Sequence, residues 1–123
     1  MTAVTGPQVA GTTGRSLRLE ALKLKVASSA HSGDLQWRGH VQGFGWQPWT
    51  TSSNYIGTVG KSLRLEAFQI TLTGDLAAHY RVAYKAYVEG IGWQGIVYDG
   101  ATAGTTGQAR RIEAVSITLI PKA

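Results

Sequence analysis

The 123-residue chain has no cysteine, and that absence removes several chemistries at once. It can form no disulfide framework, no thiolate nucleophile and no zinc site of the cysteine type. A repeat protein with a good core needs no disulfides, so the lack does not argue against secretion. Acidic residues are also scarce. Seven Asp and Glu stand against twelve Lys and Arg, and no separate carboxylate pair offers itself as a general acid and base. His31, His40 and His79 are isolated, without companions at metal-ligand spacing. No Gly-x-Ser-x-Gly elbow is present, and no apolar run approaches membrane-spanning length. The opening Met-Thr-Ala-Val-Thr-Gly-Pro has neither a basic nor an apolar signal region, so no signal peptide and no membrane insertion are expected of this chain. Prolines number only three, and helical periodicity of useful length is missing. These gaps point away from an enzyme and away from any cofactor or metal.

What remains is repetition. Gly11-Thr-Thr-Gly-Arg-Ser-Leu-Arg-Leu-Glu-Ala-Leu-Lys-Leu-Lys-Val26 returns from Gly57 to Leu72 and again from Gly104 to Leu119, offsets of 46 and 47 residues. A second block, Trp37-Arg-Gly-His-Val-Gln-Gly-Phe-Gly-Trp-Gln47, returns once, as Tyr84 to Gln94, at an offset of 47. A fixed period of this size means supersecondary units that complete one another's cores. In both fuller copies the Trp precedes the repeat's Glu by 20 residues: Trp46 to Glu66, and Trp93 to Glu113. Applied to Glu20, that spacing places a Trp one position before Met1, so the chain is read as starting within a repeat. The organisation expected is one domain over residues 1–123, made of a partial repeat 1–27 and fuller repeats 28–73 and 74–123. Hydrophobic residues at 43% with 15% charged suit a globular domain of this length.

The sixteen glycines and short alternating runs predict β structure. Leu35, Trp37, Gly39 and Val41 alternate with Gln36, Arg38 and His40, as a half-buried strand requires. The Glu half is different. Leu63 and Leu65 occupy one parity, and Phe68, Ile70 and Leu72 occupy the other; the same slip occurs in all three copies. Since a one-residue slip turns a strand over, a β-bulge at each Glu-Ala pair is predicted. Glu20, Glu66 and Glu113 would sit beside bulge amides able to bond a carboxylate, with Arg18, Arg64 and Arg111 as ion-pair partners two residues earlier. The Gly-Thr-x-Gly stretches read as tight turns, lacking the Lys-Ser/Thr ending of a phosphate loop, and Thr73-Gly-Asp75 reads as a loop. The fold class expected is all-β and antiparallel, with an internal pseudo-three-fold repeat. A β-prism is favoured, and a β-trefoil or a row of independent modules remains open.

These residues resemble the ChW repeat family, clostridial hydrophobic repeats with a Trp. Its pattern is a strand ending His-Val-x-x-x-Gly-Trp-Gln, a Gly-rich stretch, then Gly-Thr-x-Gly-x-x-Leu-x-Leu-Glu-Ala and a hydrophobic strand. Residues 36–72 and 83–119 match it over nearly their full length, and residues 11–26 match its second half. The resemblance implies an extracellular or surface-attached bacterial protein with a role in adhesion or polymer binding. This sequence departs from the pattern in two places. Tyr87 stands where His40 stands in the other copy, and Pro48-Trp49 replaces Gly95-Ile96, so sites built there differ between repeats.

Candidate contacts lie in the Trp half. Trp46-Gln47 and Trp93-Gln94 offer a ring for a sugar's apolar face and an amide for its hydroxyls, with Trp49, Tyr98 and Asp99 close behind. The competing reading is that Trp46 and Trp93 plug a core, while Gly45 and Gly92 admit a neighbouring strand. On either reading the glutamines are expected to be exposed. Trp49 is an unrepeated loop Trp with less structural reason to exist. The net charge of +5 favours anionic partners: acidic glycans, anionic cell-wall polymers or nucleic acid. The basic residues are scattered, with Arg110-Arg111 the only adjacent pair, which argues against nucleic acid. Two functions follow: a non-catalytic, lectin-like module with several weak sites, or a structural domain that self-assembles through an open sheet edge into homo-oligomers.

Overall fold

The computed structural model describes residues 34–51, 54, 56–57 and 63–121, together with the backbone of four short strands within residues 1–33. In chain order the elements are β1 (Thr2–Ala3), β2 (Gln8–Gly11), β3 (Ala21–Leu22), β4 (Leu24–Lys25), β5 (Leu35–Val41), β6 (Gly45–Trp46), β7 (Thr50–Thr51) and β8 (Ile56–Gly57). They continue with β9 (Leu65–Leu72), α1 (Gly74–His79), β10 (Tyr80–Val88), β11 (Gly92–Trp93), β12 (Val97–Tyr98), β13 (Ala103–Gly104) and β14 (Ile112–Pro121). The fold is all-β and mostly antiparallel, as the alternating pattern predicted. Two local features were not anticipated. Where Thr73-Gly-Asp75 was expected to be a loop, Gly74–His79 form a short helix whose Leu76 enters the core, and β1 pairs with β4 in parallel.

Each fuller repeat is built on one long antiparallel pair, β5 with β9 and β10 with β14. In both pairs the register shifts at the repeated Glu. His40 faces Ala67 while Val41 faces Leu65, which leaves Glu66 as the extra residue. Tyr87 faces Ala114 while Val88 faces Ile112, which leaves Glu113 extra. The slip seen in the sequence is therefore absorbed by a bulge. Leu65 and the trio Phe68, Ile70 and Leu72 all stay in the core despite their opposite parities. The corresponding bulge at Glu20 lies outside the described residues.

Both bulge carboxylates are buried, and side chains engage them. Arg64 Nε donates to Glu66 Oε2 at 2.8 Å, and His40 Nδ1 lies 3.0 Å from Glu66 Oε1. Arg111 Nε reaches Glu113 Oε2 at 3.3 Å and its Nη1 reaches Glu89 Oε2 at 3.2 Å. The Arg two residues before each of these two Glu is thus its partner, as expected from the sequence; Arg18 and Glu20 lie outside the described residues.

Short strands link the repeats. β8 pairs with β3, β13 with β9 and β2 with β14, all antiparallel. In each case the first Gly of the Gly-Thr-x-Gly stretch faces the Ala of a Glu-Ala pair: Gly57 opposite Ala21, Gly104 opposite Ala67, and Gly11 opposite Ala114. That glycine is a ladder residue, not a turn residue as predicted. Position 104 needs glycine because its φ is +92°, and a β-carbon there would strike the Glu66 carbonyl and stand 2.7 Å from Ala67 Cα.

The core is continuous across the two long pairs. Leu35, Trp37, Val41, Phe68 and Ile70 from the first meet Val82, Tyr84, Val88, Val115 and Ile117 from the second. Trp37 and Tyr84 occupy equivalent positions and are the two largest fully buried side chains. Burial of each ring contributes about 4–6 kcal/mol before entropy is counted. Their polar atoms are satisfied. Trp37 Nε1 donates to the Thr51 carbonyl at 3.1 Å. The Tyr84 hydroxyl accepts from Ile70 N–H at 3.1 Å and donates to the Ala101 carbonyl, tying β10 to β9. Burial raises the Tyr84 pKa above its ordinary value, with hydrogen bonds from nearby backbone opposing the shift.

Candidate functional site: two aromatic and cationic faces

The outward parity of β5 carries Gln36, Arg38 and His40, and that of β10 carries Ala83, Lys85 and Tyr87. Arg38 and Lys85 are equivalent, 47 residues apart. Both lie over the repeat's Trp: Arg38 Cζ is 4.7 Å from the Trp46 ring centre, and Lys85 Nζ is 4.9 Å from that of Trp93. Such a cation over an indole face gains roughly 0.5–1 kcal/mol at an exposed site. Neither cation pairs with a carboxylate among the described residues. His40 stands edge-on to Trp46 at 5.2 Å between ring centres, and Tyr87 stands edge-on to Trp93 at 5.4 Å.

The two faces then diverge. In the first, Trp49 also receives Arg38, at 4.8 Å, so one guanidinium serves two indoles. Arg38 Nε donates to Gln69 Oε1 at 2.8 Å, and Gln69 Nε2 donates to Thr102 Oγ1 at 2.9 Å. In the second, Ile96 replaces Trp49, Ser116 replaces Gln69 and Ala83 replaces Gln36. The smaller side chains open a hollow of about 40 Å³ beside Lys85, lined by Ala83, Tyr84, Lys85, Ile96, Ser116 and Thr118.

Of the residues proposed from sequence, Trp46, Trp49, Trp93 and Tyr98 reach the surface. Trp46 is half-buried, and the other three are exposed: Trp49 41%, Trp93 37% and Tyr98 38%. The core-plug alternative for the two repeated tryptophans therefore does not apply; Trp37 and Tyr84 fill that place. Gly45 and Gly92 do not admit a close strand either. A β-carbon at either would meet only a side-chain atom at about 4 Å, and both glycines are there for positive φ.

Gln47 and Gln94 differ from expectation. They are half-buried, and their amides are held by backbone. Gln47 Oε1 accepts from Gly57 N–H at 2.7 Å, and its Nε2 donates to the Gly57 carbonyl at 3.1 Å. Gln94 repeats both bonds with Gly104, at 2.7 and 3.2 Å. Each amide copies a peptide group and pairs with a glycine as a strand would. Asp99 is likewise engaged: its Oδ1 accepts from Val82 N–H and its Oδ2 from Arg81 Nε, both at 3.0 Å. Arg81 Cζ lies 4.4 Å over the Tyr98 ring.

The sequence reading missed the cations at 38, 81 and 85. A signal was available. Positions 38 and 85 are outward-facing, both basic, and both eight residues before a repeated Trp. Among the described residues no group of three His, Asp or Glu is placed to hold a metal ion.

Comparison of the chain with curated proteins and with solved structures returned no match. The clostridial hydrophobic W pattern does match, three times, at residues 1–27, 40–74 and 87–121. The matches at 40–74 and 87–121 hold both bulged Glu residues, both repeated Trp residues and the Gln clamps described above, and the chain belongs to the ChW (clostridial hydrophobic W) repeat family.

Proposed function

We propose that this domain is a non-catalytic binding module for anionic glycans or cell-wall polymers at the bacterial surface. One observation carries the reading: the equivalent cations Arg38 and Lys85, each lying over a solvent-accessible Trp and neither paired with a carboxylate among the described residues. A ring with a cation beside it suits a sugar unit bearing a negative charge, because the aromatic surface takes the sugar's apolar side and the cation takes the anion. Two weak sites on one domain raise avidity for a repetitive polymer without new contacts. Attraction between exposed charges falls with salt. The test is a panel of acidic and neutral polysaccharides and cell-wall polymers in low salt, with Trp49→Ala beside the parent. Saturable binding that weakens with salt and with Trp49→Ala supports the reading; no saturable binding to any acidic polymer refutes it.

A second reading, a self-assembling interaction domain, draws on Phe44 and Ile91. They sit at equivalent hairpin tips and are 71% and 49% exposed. Sedimentation across a concentration series separates the two: mass that rises with concentration and reverts in Phe44→Ser favours assembly. For the architecture we infer a pseudo-three-fold, prism-like order, with a trefoil as the alternative. The support is the common register by which each Gly-Thr strand joins another repeat's Glu-Ala strand.

A further inference from the structure

We infer that the two faces are not equivalent, and that Arg38 makes the first of them the principal site. Its guanidinium is a preset fork for an anion with two terminal oxygens, a carboxylate or a phosphodiester, on a sugar or polyol unit that rests against Trp49. This rests on the anionic-polymer reading and names its receptor. The guanidinium carbon lies 4.7 Å from the Trp46 ring centre and 4.8 Å from that of Trp49. Arg38 Nε donates to Gln69 Oε1 at 2.8 Å, and Gln69 Nε2 donates to Thr102 Oγ1 at 2.9 Å, which holds the amide with its oxygen toward Arg38. Two rings and a tether leave the group little room to turn.

A guanidinium carries five N–H donors, and Gln69 takes the one on Nε. The four on Nη1 and Nη2 have no partner among the described residues. They are not shut away from water. Arg38 is half-buried, and Thr105 Oγ1 is the one buried side-chain polar atom without a partner among the described residues, so both Nη atoms of Arg38 reach solvent. With Nε taken, the end-on edge of Nη1 and Nη2 is the edge on which two parallel N–H bonds can meet two oxygens of one anion. A fork already held in place gives up little freedom when it binds. Trp49, 41% exposed, supplies aromatic surface beside the same guanidinium.

The second face lacks every part of this holder. Lys85 stands for Arg38, Ile96 for Trp49 and Ser116 for Gln69. The Lys85 ammonium lies over one indole, at 4.9 Å, and is a point charge without a fork. Fork, second ring and tether are thus present together in one repeat and absent together in the other, as parts of one device would be.

The experiment measures binding by calorimetry and follows the Arg38 side-chain Nε and Nη resonances. The probes are a hexuronate oligosaccharide, poly(glycerol phosphate) and a neutral oligosaccharide of equal length. Arg38→Met and Lys85→Met place one neutral side chain at the two equivalent positions, and Arg38→Lys keeps the charge but removes the fork. Affinity is expected to fall roughly thirtyfold in Arg38→Met and roughly tenfold in Arg38→Lys, against about threefold in Lys85→Met. In the parent, the Arg38 resonances should shift with the acidic probes and not with the neutral one. Preference for the hexuronate assigns a carboxylate and preference for poly(glycerol phosphate) assigns a phosphodiester; either supports the inference. Equal losses in Arg38→Met and Lys85→Met, or Arg38→Lys binding as the parent does, overturn the fork while leaving the wider reading intact. Parent binding to no acidic probe, or equal binding to the neutral one, removes both. Thermal profiles of the variants guard against misfolding, and the Arg38 resonances of the parent decide the matter without them: no shift with a bound acidic probe overturns the inference.

Discussion

Replacing Gln94 by Leu separates a structural amide from a ligand contact. The substitution nearly conserves volume and removes two hydrogen bonds, the 2.7 Å bond from Gly104 N–H and the 3.2 Å bond to its carbonyl. Each bond is worth about 1 kcal/mol net, and a buried backbone group left without a partner costs about 1–3 kcal/mol. Gly104 is only half-buried, so water recovers part of that loss and a total of about 2 kcal/mol is expected. At roughly 2 cal/mol/K of unfolding entropy per residue, this lowers the melting temperature of the chain by about 8 °C. Gln47→Leu should match it, because the bonds to Gly57 have the same geometry. Calorimetric melting of the two single variants and the double variant is the assay. The clamps hold different glycines, so their effects should add to within about 0.5 kcal/mol. Affinity for an acidic polymer, measured well below melting, should not change. If Gln94→Leu melts within 2 °C of the parent (an effect of about 0.5 kcal/mol) and loses polymer binding, the amide is a ligand contact and the clamp reasoning is wrong.

Three further outcomes follow from the same geometry. Gly104→Ala forces a β-carbon onto the Glu66 carbonyl at a φ of +92°, and should cost more than about 3 kcal/mol by denaturant titration. Glu66→Gln weakens contacts with both Arg64 and His40. It should destabilise by about 2 kcal/mol, somewhat more than Glu113→Gln, whose Arg111 keeps Glu89 as a second partner. The raised pKa of Tyr84 means that the folded state holds this proton more tightly than the unfolded chain does. Its contribution is complete below pH 10 and is lost as pH rises through the folded value, so the alkaline arm of the stability curve should flatten in Tyr84→Phe.

The bulges were legible because a parity slip in hydrophobic pattern has few other physical solutions, and the paired Arg at −2 followed from strand geometry. The core positions Trp37 and Tyr84 followed from period-two alternation. The helix at 74–79 was not legible. Six residues give too little periodicity, and it forms where Thr73, with both its hydroxyl and its backbone engaged with Asp34, joins the end of β9 to the start of β5. The glutamine clamps were hidden for a different reason. A side chain that imitates a peptide group leaves no pattern of its own, and its partner glycine lies ten residues downstream in both copies. Arg38 and Lys85 escaped notice because charge was judged by adjacency along the chain, whereas the sheet gathers charges by face.

The pairing of β2 with β14 sets an order of events for synthesis. Gln8 through Gly11 leave the ribosome long before their ladder partners, Ala114 through Ile117. At about 5–20 residues per second, the opening strand waits several seconds for its complement. During that interval β5 and β9 are already able to pair, so a half-made sheet exists with one border unfilled. Cells expressing this domain stopped before residue 112 should accumulate a sticky, protease-sensitive fragment, while the pairing of β14 with β2, distant in sequence, should come as a slow step in the folding of the domain.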